Sequence, residues 1–138
     1  MTSGELLRRL GVPELPPRTT PFDPGYSPVE VESHLAQSAH LMAGLKISMA
    51  CWIIADEGQT RRKIAAVRAA GVPVLTGGGP FEVAAAQGAL PAYLDLCATL
   101  GVDRIEVGEG FARCALDPAH TVAMAHERGL GVQFEVGD

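Results

Sequence analysis

Aromatic residues are scarce in this chain: Phe, Trp and Tyr together make up 5% of its 138 residues. That leaves little material for surfaces on which nucleic-acid bases stack. Basic charge is also short, with 11 Lys and Arg against 16 Asp and Glu, a net charge of −5, and an isoelectric point near 5.3. A partner carrying phosphate backbone, or an anionic membrane surface, is therefore not expected. No uninterrupted apolar run approaches the roughly 20 residues of a membrane span. The opening MTSGELLRRLG lacks the apolar core of a signal peptide, so export is not expected either. Cys51, Cys97 and Cys114 are odd in number and widely spaced, matching neither a zinc pattern nor a CxxC redox pair. They read as reduced thiols of a cytoplasmic protein, two of them buried. What is present is 47% hydrophobic and 20% charged residues, the balance of a soluble globular domain.

Organisation follows from proline, glycine and hydrophobic spacing. Residues 1–18 form an N-terminal extension, with a short helix over 3–10 capped by Ser3. Prolines at 13, 16, 17, 21, 24 and 28 then exclude regular helix. A β/α domain over 19–138 follows, entered by a strand at 19–23 that turns at Pro24-Gly25. Ser27, Pro28 and Glu30 have the spacing of a capping box opening a helix. Strands are expected at 45–50, 72–77, 103–110 and 131–137. Helices are expected at 57–70, at 80–88, over LPAYLDLCATLG and at 117–129. Short apolar strands alternating with helices are the mark of a parallel sheet covered on both faces. A TIM barrel, part of one, or a small doubly wound sheet all fit, but about five strands are too few to close an eight-stranded barrel.

Ligands of parallel α/β sheets gather at the carboxyl ends of the strands. Glu106 and Glu135 stand out there, in Ile105-Glu106-Val107 and Phe134-Glu135-Val136. A carboxylate buried in an apolar strand requires a cation, a metal or strong donors. It is either paired with a Lys or Arg, or it is a Mg²⁺ ligand or acid/base facing a pocket. Lys46, in Leu45-Lys46-Ile47, either neutralises one of these glutamates or acts as an electrostatic clamp and proton donor. The run Thr76-Gly77-Gly78-Gly79 precedes Pro80-Phe81-Glu82 but makes neither GxGxxG nor a P-loop. By pattern alone it is a tight turn. His34, His40, His120 and His126 fall on helices at poor spacing for a shared metal and are expected at the surface.

The ordered series of Lys46 in a short strand, RRKIAAVRAAGVPVLTGGGPFEVAAAQGALPAYLDLCATLGVDRIEVGEG, and a strand ending FEVG resembles the phosphosulfolactate synthase family over about residues 20–138. GGGPFE and the two strand glutamates carry most of the resemblance. It implies a (β/α)8 TIM-barrel family and a Mg²⁺-assisted addition of sulfite to phosphoenolpyruvate. The product would be (2R)-phosphosulfolactate, as in coenzyme M biosynthesis; plant heat-stress-associated proteins are related. It further implies Lys46, Glu106 and Glu135 as catalytic residues and Glu106 and Glu135 as metal ligands. Gly77, Gly78, Gly79 and Glu82 would be substrate-binding.

Three departures from the family pattern shape the expectation. Phe22-Asp23-Pro24-Gly25 stands where the family has Asp-Lys-Gly. Ser48-Met49-Ala50-Cys51-Trp52 replaces a Gly-rich stretch, and the sequence stops at Asp138 before the second half of a barrel. The expected architecture is thus an incomplete barrel, with open edge strands that favour a homo-oligomer or a complementing chain. The alternative is a family-derived half-barrel without catalysis, serving assembly, ligand binding or stress.

Overall fold

A computed structural model describes residues 1–108, 110 and 116–136. Its frame is a five-stranded parallel sheet in the order β1-β2-β3-β4-β5. The strands are β1 (Phe22–Asp23), β2 (Leu45–Ile47), β3 (Val74–Thr76), β4 (Arg104–Val107) and β5 (Gly131–Phe134). Every strand lies beside its predecessor in the chain. A doubly wound sheet would need its order to reverse, whereas sequential winding is how a barrel wall grows. The fold is therefore α/β, with the expected incomplete barrel of five parallel strands.

Seven α-helices are described: α1 (Ser3–Arg9), α2 (Pro28–Ser38), α3 (Cys51–Ile54), α4 (Glu57–Ala69), α5 (Gly78–Ala86), α6 (Leu90–Leu100) and α7 (Pro118–His126). The first is capped by Thr2 rather than the expected Ser3, in a reciprocal box with Glu5. All of residues 1–20 are exposed. The Ser27/Glu30 capping box and Pro28 open α2 as expected, and Asp117 caps α7. Helix α3 was not anticipated. Four residues give too little periodicity to register, and Trp52 alone buries it.

The strands are shorter than their apolar runs suggest, because the last residues of each run curl into the loop that builds the site. That shortening matters most in β5, which ends at Phe134 and leaves Glu135 just beyond it and exposed. The expectation of a Glu135 buried in an apolar strand is corrected accordingly: β5 is the last strand, and nothing among the described residues covers its far side. Of the cysteines, Cys97 is buried and Cys51 half-buried, both with free thiols; Cys114 lies outside the described residues. The four histidines sit on helical segments, exposed as expected.

Alternation of side chains sorts the sheet into two faces. Leu45, Ile47, Val74, Thr76 and Ile105 point to the helical layer and join the buried interior with Val31, Ile64, Val67, Phe81 and Leu94. In the register of the sheet, Lys46 is level with Phe22 and Leu75, and Glu106 is level with Gln133. These residues share the opposite face, which in a closed barrel is the interior. Phe22 on β1 is 61% exposed and Phe134 on β5 is 44% exposed, so both ends of the sheet leave large apolar side chains in solvent.

Candidate active site

Lys46 and Glu106, 60 residues apart in sequence, meet across the sheet from β2 to β4. The ammonium Nζ donates to both carboxylate oxygens, at 3.1 Å to Oε1 and 2.9 Å to Oε2. The lysine side chain keeps 26% of its surface and the glutamate 4%. The charge-assisted pair therefore joins a partly exposed lysine to a buried carboxylate.

A third group locks the carboxylate. The backbone N–H of Gly78 donates to Glu106 Oε1 at 3.0 Å. Gly77 is the N-cap of α5, and Gly78 and Gly79 are its first helical residues. The glycine run is thus a helix start rather than the separate tight turn that its pattern suggests. Glu106 places its negative charge where helix α5 has an unsatisfied N–H and a positive dipole end. That N–H, expected to meet a substrate anion, is engaged inside the protein.

The glycines also set how closely two loops approach. A Cβ on Gly78 would lie 2.8 Å from Gly108 Cα, and one on Gly108 would lie 3.1 Å from Gly78 Cα. The first contact is shorter than real Cβ atoms show and the second is tight, so the start of α5 and the end of β4 meet backbone to backbone because Gly78, and to a lesser degree Gly108, lack a side chain. Glu82, on α5 and buried, accepts from Gly110 N–H at 2.6 Å. It fastens the loop leaving β4. Glu135, although exposed, comes back toward this spot: its Oε2 lies 3.2 Å from where a Gly78 Cβ would be. The structure thus brings Lys46, Glu106, Gly77, Gly78, Glu82 and Glu135 to one carboxyl-end cluster.

Whether a magnesium ion fits can be judged from the donors. Both Glu106 oxygens face the Lys46 ammonium, and one also takes an N–H. Among the described residues no group of three or more His, Cys, Asp or Glu side chains is arranged to hold a metal. In this arrangement Glu106 is the partner of a lysine, a poor fit to the ligand role expected of it, and no step below is routed through a metal.

A second ion pair went unforeseen. Lys63 of α4 bonds Asp23 at the end of β1, and its Nζ also donates to the Tyr26 carbonyl at 2.9 Å. Asp23 further accepts from the N–H groups of Gly25 and Tyr26, at 2.8 and 2.6 Å. Asp23 is level with Ile47 and so faces the helical layer. In Phe22-Asp23-Pro24-Gly25, the cation beside this aspartate comes from a helix 40 residues on. The signal was present in the α4 spacing: Lys63 lies on the stripe of Thr60, Ile64 and Val67, the face that the helix buries.

Met49 marks the other departure. It adopts a left-handed backbone, φ 58°, directly after β2. That conformation favours glycine, so Met49 sits in strained backbone at the start of the segment that replaces the family's Gly-rich stretch.

The (2R)-phospho-3-sulfolactate synthase (ComA) family matches residues 13–138. A phosphosulfolactate synthase of Methanocaldococcus jannaschii is 27% identical over 120 residues, which are 86% of this chain and 48% of that protein. The chain thus spans about half the length of this relative.

Proposed function

The chain belongs to the (2R)-phospho-3-sulfolactate synthase family, and on that premise we propose that it carries one half of the active site of a phosphosulfolactate synthase-like lyase. The reaction is addition of sulfite to phosphoenolpyruvate. The sulfur lone pair forms a bond to the methylene carbon, and the π electrons move through the adjacent carbon onto the carboxylate as an enediolate. A proton delivered to that adjacent carbon then gives phosphosulfolactate. The observation that supports this reading is the Lys46–Glu106 pair: a partly exposed lysine, aimed by a buried carboxylate that a helix N–H holds in place. Lys46 stabilises the charge that grows on the substrate carboxylate and delivers the proton. Glu106 fixes where the ammonium points.

We further propose that turnover needs the remaining barrel wall, from a second copy or a complementing chain. The exposed Phe22 and Phe134 at the two end strands support this. So does a cavity of about 360 Å³ beside β1, lined by Pro21, Val31, Met42 and Leu45, which leaves the helical layer open there. The free thiols of Cys51 and Cys97 suit a reducing, cytoplasmic compartment. No described helix is long and apolar enough to cross a membrane.

The test is incubation with sulfite and phosphoenolpyruvate, with and without Mg²⁺, assayed for the organosulfonate alongside Glu106→Gln. Turnover that depends on Glu106 supports the reading, and turnover indifferent to it moves the site elsewhere. Absence of product, alone or with a complementing half, rejects the lyase. Light scattering that shows only monomer rejects the self-assembly route.

A further inference from the structure

Three polar atoms are sealed in the interior without a partner: Trp52 Nε1, Thr76 Oγ1 and Tyr93 Oη. Their residues are at most 7% exposed. They belong to one neighbourhood. The Trp52 and Tyr93 rings are 6.2 Å apart between centroids and tilted, and Phe81 stands edge-on to Tyr93 at 6.5 Å. Thr76, the last residue of β3, faces the helical layer, as does Ile47 beside it. Its hydroxyl is near enough to the Tyr93 phenol to perturb its ionisation, which burial drives strongly upward. The Cys97 thiol, one turn on along α6, also lies against that phenol, yet neither group closes a hydrogen bond with it.

Buried donors and acceptors are nearly always satisfied, and ordered water is the usual partner when no protein group serves. The inventory here suits one water molecule. An indole N–H can only donate, while each hydroxyl can donate or accept. A water that accepts from the indole still has two protons and a lone pair for the two hydroxyls. We propose that a single internal water molecule bridges Trp52 Nε1, Thr76 Oγ1 and Tyr93 Oη beneath the carboxyl end of β3. Its place gives it a role. Thr76 immediately precedes Gly77 and Gly78, and the Gly78 N–H holds Glu106. The water ties that strand end to α3 and α6 from the side opposite the candidate site. This inference is independent of the reaction proposed above.

A crystal structure of the chain at about 1.5 Å tests it. The expected result is a discrete density peak within about 2.7–3.2 Å of all three atoms. A dry gap, or a peak that misses Trp52 Nε1, overturns it, as does a direct Thr76–Tyr93 hydrogen bond in its place. A second measurement uses two near-isosteric variants, Thr76→Val and Tyr93→Phe. Each should lower the folding equilibrium constant about tenfold, because the water loses a partner. Together they should cost clearly less than the hundredfold product, because the water then leaves altogether. Independent, multiplying losses would overturn the bridge.

Discussion

The molecule holds two lysine–carboxylate pairs at the carboxyl ends of its strands, and they are built for different ends. Lys63–Asp23 is shut in on both sides, with side chains 7% and 3% exposed. Lys46–Glu106 has an equally buried acid but a lysine side chain that is 26% exposed. The first faces the helical layer and fixes the turn after β1 to α4. The second faces the barrel interior and spans β2 to β4. A buried acid in a strand is therefore not by itself a functional mark. What separates the pairs is whether the charge has a free side from which another molecule can approach.

Breaking the enclosed pair should have the largest effect on stability. Lys63→Met strands a buried Asp23 and should cost about 3–5 kcal/mol, seen as a lower urea midpoint. Removing both charges, with Asp23→Asn added, should recover part of that loss. Breaking the open pair should instead fall on chemistry. Lys46→Ala should cut turnover by about 10²–10⁴-fold and move the urea midpoint less than Lys63→Met does. If the two variants exchange these phenotypes, the distinction between the pairs is wrong.

Alkaline denaturation should report on two buried groups of the interior, Cys97 and Tyr93. Burial pushes the Cys97 thiol up to about 12 from its ordinary 9 and raises Tyr93 as well. In both, the neutral form is the folded form. Their contribution is complete below the unfolded pKa and is lost as pH rises toward the folded value, from about 9 for the thiol and about 10 for the phenol, since the unfolded chain ionises first. The expected slope for each group is about 1.4 kcal/mol per pH unit. Cys97→Ala should flatten the thiol's share of it in denaturation series at pH 8 to 11.

Smaller effects calibrate the comparison. Met49→Gly relieves the left-handed strain and should raise stability by about 1 kcal/mol, read as a higher midpoint. Glu32 pairs with Arg62 on the open surface, and Glu32→Ala should cost only about 0.2–1 kcal/mol.

The sequence was legible where local chemistry decides. Ser27, Pro28 and Glu30 announce a helix start that needs no tertiary help, and the apolar runs place the strands because they are buried on both faces. Ile105-Glu106-Val107 reads correctly as a buried acid because β4 has neighbours on both sides. The same pattern misleads in Phe134-Glu135-Val136, where β5 has no outer neighbour among the described residues and ends at Phe134, three residues short of the expected 137. Partnership is legible only in part: Lys46 reads as the counter-ion of Glu106 or Glu135, without the choice between them. Whether Glu106 meets Lys46, and whether Asp23 meets Lys63, depends on register and crossover geometry rather than on spacing. The Gly78–Gly108 contact could not be read at all, since each glycine is explained only by the other.

The sequential strand order has a consequence for how the chain is made. During synthesis each β/α unit emerges next to a completed strand and docks on it, without waiting for a distant segment to arrive. Loop-closure cost stays low at every addition. A five-stranded wall can therefore assemble before any later unit exists, with β5 as a waiting template. The Lys46–Glu106 pair is set as soon as the fourth strand docks, so the charged cluster precedes the closing of the wall that would enclose it.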